Sequence, residues 1–437
     1  VEVNTTACHG ILDAAPSYEM ARRSFDLLKK LEGWGVNFPL DKSGNYLTLQ
    51  YHSKGAFLTG MDEPNLKVMM SRRAKDLGVI DINRVMGIEL LKEEGRVTGA
   101  IGLNVRTGGL VVCQAKAVIL ASGGTARFTL PNSGHLFGTF DFPGNTGDGY
   151  AMAYRAGAGV TGMEHTHRFI HVKDSNMPLM AVAITRGAQV QDVLNNIVMD
   201  KNNYANDESP MDNAIETGRG PLRVKLSHLK TEVIDEIQHL LFSTERPVQE
   251  RFFKNRGIDF HKNDIELGYT ECQLCGGHGT TGIVVNEKAE TDLPGLYAAG
   301  DTACVPRQHL TGALVFGEIA AEQAIKSISF DSKIKMDDRQ VQYIEKQRNE
   351  RFTKTGRDIN IRDLEYKMRR LIGDYVVSPK NEYKLRRWFE WSDQFYDEIE
   401  SQVVVNTPHE LARLYEVEHI LTCATLSASA ALERKES

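Results

Sequence analysis

The 437-residue sequence predicts an α/β fold, interrupted by an inserted domain and followed by a helical one. Three observations predict it. Apolar strand text that ends in glycine occurs twice, as VILASGG at 118–124 and as GLYAAGD at 295–301. Between them, from about 160 to 270, the text is richer in His, Asn, Asp and Met and its periodicity weakens. Beyond about 332 the chain is charged, with helical spacing and Trp388 and Trp391 near the middle.

The elements follow in order. Residues 17–32 carry helical apolar spacing, and 64–78 repeat it. IELLKEEGRVTGAIGLNV and GLVVCQAKAVILASGG read as a meander of hairpins turned at EEG and RTGG. KAVILASGG is continuously apolar, which predicts a strand buried on both faces. NTGDGYAMAYRAGA at 145–158 opens a helix, with Asp148 either capping it or facing a ligand. Strand character returns at GIVVNE, 282–287.

Composition narrows the function. Hydrophobic residues are 41%, charged residues 25%, and the net charge is -6, so neither a nucleic-acid surface nor an anionic membrane is indicated. No run of about 18 apolar residues is present. VEVNTTACHG does not read as a signal peptide, and a cytoplasmic location is expected. The six cysteines are too sparse for a disulfide framework. Cys272 and Cys275 form one CxxC, which alone cannot supply four zinc ligands; it reads as two buried small residues or as a redox dithiol.

A buried strand ending in glycine lets backbone N–H groups approach a ligand closely. At the carboxyl edge of a parallel sheet that is where nucleotide cofactors lie. An acid just after the glycine, as at Asp301, can bond a ribose or ribityl hydroxyl. His165, His167 and His171 could share one strand face, yet only Glu164 stands by to complete a ligand set, and no metal is expected.

The order VILASGG, NTGDGYAMAYRAGA, GRGP (218–221), LPGLYAAGD and HILTCATLSASAALERKES resembles the flavoprotein subunits of the succinate dehydrogenase and fumarate reductase family. That family includes L-aspartate oxidase and the adenylylsulfate reductase alpha subunit. The resemblance covers essentially the whole chain. It implies an FAD-binding, Rossmann-like domain at 1–158 and 271–331, an α+β capping domain at 159–270, and a helical domain at 332–437. It implies non-covalent FAD, held by Ser122, Gly123, Gly124, Asp148, Gly300, Asp301, Thr311 and Leu314. His9 is near the family's flavin-linked histidine, but SHTxAxQGG is not reproduced.

The family's N-terminal strand and GxGxxG turn, which hold the FAD pyrophosphate, have no counterpart at the start of the sequence, and the text resembles a family member trimmed at both ends. The dicarboxylate signatures FHPTG, HYxMGG and HGANRLGGNS are replaced by HRFIHVKD, CQLCGGHGTTG and VPRQHLTGALVFG, closer to the adenylylsulfate reductase branch.

Flavin chemistry on an anion needs a cationic clamp and a proton donor. Arg186, His278, Arg307 and His309 are the candidates for catalysis, and His167 and His171 for substrate contact. Arg186 in ITRGAQ resembles the arginine of TEGxRG, the proton shuttle of the dicarboxylate enzymes. The expected activity is FAD-dependent oxidation or reduction of a small anion, exchanging electrons with an iron–sulfur, ferredoxin-like partner subunit. The basic stretch 366–388 is a solvated face or a docking surface for that partner. A partner-free oxidase resembling L-aspartate oxidase, and a non-catalytic fragment unable to hold FAD, are the other readings.

Overall fold

The computed structural model describes residues 10–52, 55–63, 65–130, 141–204, 209–245, 249–277, 281–305, 309–328, 338–353 and 359–435. Helix α1, Ala14–Gly33, starts where the Asp13 carboxylate accepts from Ala15 N–H and buries Met20, Leu27 and Leu31 along one face. A hairpin of β1 (Thr48–His52) and β2 (Gly55–Thr59) and helix α2 (Leu66–Asp76) follow. β3 (Val85–Glu93), β4 (Arg96–Asn104) and β5 (Leu110–Gln114) form an antiparallel meander. Its first turn places Glu94 at φ 50° and Gly95 at φ 77°, the two positive angles a tight hairpin requires. β6 is Val118–Leu120 and helix α3 is Asp148–Ala156. α3 is bounded by Gly147 and Gly157, both left-handed, at φ 82° and 93°. β7 is Val160–Thr161.

The next stretch builds its own sheet. Its elements are β8 (Ile170–Val172), α4 (Met180–Ile184), β9 (Gln189–Gln191), β10 (Ile197–Met199), α5 (Ser209–Ala214), β11 (Arg223–Lys225), α6 (Thr231–His239), α7 (Glu250–Asn255) and β12 (Ile265–Tyr269). The five strands pair antiparallel in the order β10-β9-β11-β12-β8. Beneath them lies a second apolar core, from Ile170 to Leu267, including Val190, Val224, Ile237, Phe253 and Phe260. Short three-residue strands explain the weak periodicity of this text.

β13, Gly282–Ile283, returns to pair antiparallel with β7. The Thr281 hydroxyl donates to Gly162 O and His165 O at 2.8 and 3.1 Å, so the strands leading into and out of this sheet are tied together. β14, Leu296–Ala298, then pairs parallel with β6, Val118 opposite Leu296 and Leu120 opposite Ala298. Here the expectation of a strand buried on both faces is corrected. Leu120 is buried, but Val118 is half-buried and Ile119 is 38% exposed, so among the described residues the face of β6 that carries Ile119 is not fully covered. Helix α8, His309–Ser327, leaves the β14 edge and packs along α1.

Four helices close the chain: α9 (Asp338–Thr353), α10 (Ile361–Tyr375), α11 (Glu382–Ser401) and α12 (Pro408–Arg434). α12 begins with a capping box, Thr407 and Glu410 each bonding the other's backbone N–H. Trp388, fully buried on α11, packs in the same core as Phe395, Met368 and Leu421.

A buried charge cluster locks these helices to the first lobe. Glu365 on α10 is 1% exposed and lies 2.9 Å from Arg127, 3.3 Å from Arg369 and 2.7 Å from Arg413. Arg127 also reaches Glu416 at 2.5 Å, and Arg369 donates to Thr129 O at 2.6 Å. Arg127 and Thr129 immediately follow the Gly123–Gly124 turn. Removing the carboxylate leaves buried guanidinium charge uncompensated. Glu365→Ala is expected to destabilise the helical region by about 3–5 kcal/mol. Thermal unfolding followed through Trp388 and Trp391 fluorescence checks this, and an unchanged midpoint contradicts it.

Candidate functional site

The parallel β6–β14 pair brings together two turns some 180 positions apart. After β6 the chain runs Ala121, Ser122, Gly123, Gly124; after β14 it runs Ala299, Gly300, Asp301, Thr302. Ala299 N–H donates to Leu120 O, and the Thr302 hydroxyl donates to Gly123 O at 2.9 Å and lies 3.3 Å from the Ser122 hydroxyl. Gly123 and Gly300 have φ of 79° and 67°, left-handed angles that favour glycine. The start of α3 packs on the same spot: a Cβ on Gly149 would meet Ser122 and Thr302 side chains. Tyr150 on α3 donates its hydroxyl to Asp301 O.

A third segment, 272–277, threads between the two turns. Thr125 N–H donates to Leu274 O at 2.8 Å, and Gly276 N–H donates to Asp301 O at 3.0 Å. A Cβ on Gly124 would collide with Leu274 O, so the close approach of these backbones requires glycine. The Asp301 carboxyl is pushed above its usual range by burial, against the Cys275 thiol and Gly277 N–H hydrogen bonds that pull it down.

Asp148 is the first residue of α3; the cap position belongs to Gly147. Its carboxylate accepts from the Thr146 hydroxyl at 2.8 Å and from His419 Nδ1 at 2.5 Å. Arg155, which can only donate, lies 3.3 Å from His419 Nε2, so the ring hydrogen sits on Nδ1 and is given to Asp148. His419 is fully buried on α12. Cys423, one turn further along α12, packs against Gly147 and Thr125.

Ser122, Gly123, Gly124, Asp148, Gly300 and Asp301 therefore share one locus. Thr311 and Leu314 lie on the first turns of α8, beside the Gly300–Thr302 turn, with Thr311 exposed and Leu314 half-buried. His278 and Arg307 lie outside the described residues, as do His9 and the side chain of His309.

Arg186, after α4, bonds Glu236 at 2.8 Å and Val182 O at 3.1 Å, which holds it on the inserted sheet's own frame. His167 pairs with Gln273 through reciprocal backbone bonds of 2.8 Å. The rings of His167, Phe169 and His171 stack in a ladder, with centroids 6.2 and 5.2 Å apart and planes inclined by 14° and 9°. His165 and Glu164 meet Arg434 of α12 instead, and Lys380 donates to Glu164 O. Among the described residues no group of three His, Cys, Asp or Glu is placed to hold a metal ion.

Some participants were not among the sequence candidates. His419 stood in text quoted only for its resemblance. Arg168, 3.6 Å above the Tyr269 ring and 3.6 and 3.7 Å from Asp212 and Glu216, shares its stretch with the histidines that drew attention. Burial, first among the causes, raises the Asp212 carboxyl above its usual range. Gln273 is 1% exposed, and neither its carbonyl nor its amide group has a hydrogen-bond partner among the described residues.

These residues suit FAD. Glycines admit close backbone approach, and a half-buried carboxylate suits ribityl or ribose hydroxyls. The fold and site define an FAD-binding protein. Residues 12–173 match the family described as an FAD binding domain. An uncharacterized FAD-dependent oxidoreductase of Methanocaldococcus jannaschii is 27% identical over 383 residues, 82% of this chain and 65% of the relative. A fumarate reductase flavoprotein subunit of Mycobacterium tuberculosis is 27% identical over 343 residues, 71% of this chain and 52% of the relative. In fold the whole chain superimposes on 78% of adenylylsulfate reductase from Archaeoglobus fulgidus, with a TM-score of 0.86 at 22% identity. The chain carries an FAD-binding domain and is similar, over most of its length, to these flavoproteins. It spans between half and two thirds of the length of the two curated relatives, 52% and 65%. No described helix is long and apolar enough to cross a membrane.

The thiols test the packing of this site. Burial pushes the Cys272 thiol up to about 11 and the Cys423 thiol up to about 12. Only about one part in a thousand or less of either is thiolate at pH 8. Iodoacetamide at pH 8 should label the exposed Cys113 and spare Cys272 and Cys423, as read by mass spectrometry of the folded protein. Rapid labelling of Cys272 would show an open, reactive thiol there.

Proposed function

We propose that this protein oxidises or reduces a small anion bound between the FAD-binding lobe and the inserted sheet, exchanging electrons with an iron–sulfur partner subunit. The observation that carries the reading is the β6–β14 pairing, which sets Gly123, Gly124, Gly300 and Asp301 side by side at one strand edge. When bound, FAD supplies the electron-accepting and hydride-transferring chemistry. Asp301 takes the ribityl hydroxyls, and the glycine turns admit the cofactor's backbone contacts.

Arg307 and His309 supply the cation and the proton-exchanging group toward the anion, since a guanidinium fork grips a carboxylate or sulfate in two places. His278 adds a second proton-exchanging group from its glycine-flanked position in the sequence, and Arg186 is the contribution of the inserted sheet. The His167–Phe169–His171 ladder lines the approach from that sheet. The printed names of the relatives support the partner: the Mycobacterium tuberculosis protein is called a subunit. The basic surface of α10 and α11 is the docking face assigned to it.

Two measurements test this. The purified full-length protein should show visible flavin absorption bands, and a colourless protein that stays colourless with added FAD contradicts the reading. Arg307→Ala should lower turnover by about a hundredfold or more while FAD remains bound, as loss of a charge-stabilising donor does. Full activity in that variant overturns the assignment of Arg307 to the anion. Turnover with oxygen alone, unaffected by an iron–sulfur acceptor, would make the protein a partner-free oxidase.

A further inference from the structure

Gln273 poses a chemical question that the rest of the site does not answer. Buried amides are normally hydrogen-bonded, and leaving either end unpaired is costly. At 1% exposure, both Oε1 and Nε2 of Gln273 are without partners among the described residues. Its position tells where it points. Segment 272–275 is extended, bridged to His167 on one side and to Thr125 on the other. Side chains along it alternate between faces. Leu274 shares a face with Thr125, which packs against Cys423 of α12. Gln273 is on the opposite face, with its bridge partner His167 and with Cys275, whose thiol bonds the Asp301 carboxylate. One stripe thus runs from Asp301 through Cys275 and Gln273 to His167, Phe169 and His171.

The two orphaned ends restrict the ligand. A carboxylate or sulfate offers acceptors alone and would satisfy Nε2 while leaving Oε1 buried and unpaired. An edge with a donor beside an acceptor satisfies both. We propose that Gln273 binds the imide edge of the flavin pyrimidine ring, giving Nε2–H to a ring carbonyl and accepting the N3 hydrogen at Oε1. The inference rests on FAD binding at the β6–β14 junction, and adds the residue that recognises its ring.

The test compares two flavins on the full-length apoprotein: FAD and its N3-methyl analogue, which lacks the donor. Fluorescence titration gives both affinities. The wild-type protein should bind FAD about tenfold or more tightly than the analogue, because methylation leaves Oε1 unpaired. In Gln273→Leu the preference should fall to about onefold. Equal affinities in the wild-type protein overturn the proposal without recourse to any variant. So does a Leu variant that keeps its preference for FAD but loses affinity for inorganic sulfate, which would place Gln273 on the anion. Failure of the wild-type protein to bind either flavin overturns the underlying reading instead, and this inference with it.

Discussion

Three residues of β6 lie beside three of β14, joined by parallel backbone hydrogen bonds, and most of the site hangs on that contact. It is a non-local pairing between segments separated by the whole inserted sheet. Without it, the Gly123–Gly124 turn and the Gly300–Asp301 turn would be unrelated loops. With it, the Thr302 hydroxyl bonds Gly123 O, segment 272–277 is captured between the turns, and α3 is seated on both. Tying β7 to β13 serves the same end, since it returns the chain to the first lobe after the insertion.

Such a short pair needs support, and the C-terminal helices give it. Arg127 and Thr129, just beyond the first turn, are fixed by Glu365 and Arg369 of α10. His419 and Cys423 of α12 hold Asp148 and Gly147 at the start of α3. The Asp148 carboxylate is thus engaged from the helical side. α12 thus gives Asp148 a structural partner, while the cofactor role proposed here falls to Asp301.

Much of the fold could be read from the text because its signals are local. The helical spacing of 17–32, the EEG turn of the meander and the two strand–glycine junctions each lie within a dozen residues. The inserted sheet was legible only as a change in composition, since three-residue strands carry too few positions to show a period of two. Burial of β6 was misjudged for a related reason: continuous apolar text does not say what packs over each face of the sheet. At the site, the positions of the glycines and Asp301 at strand ends were legible because each is confined to a turn. Gln273, His419 and Arg168 were not. Each acquires its role from a partner more than 50 positions away, Gln273 from His167, His419 from Asp148 and Arg168 from Tyr269. Nothing in a single residue's neighbours along the chain announces such a partner.

The central claim is that the junction after β14 holds the flavin through Asp301. The most direct measurement is the FAD affinity of Asp301→Ala, by titration of the apoprotein, alongside its circular dichroism spectrum. The account predicts affinity about tenfold or more weaker than wild type, with the spectrum unchanged, since a half-buried carboxylate accepting ligand hydroxyls is lost. Wild-type affinity in that variant would contradict it, and would move the cofactor away from the β6–β14 edge.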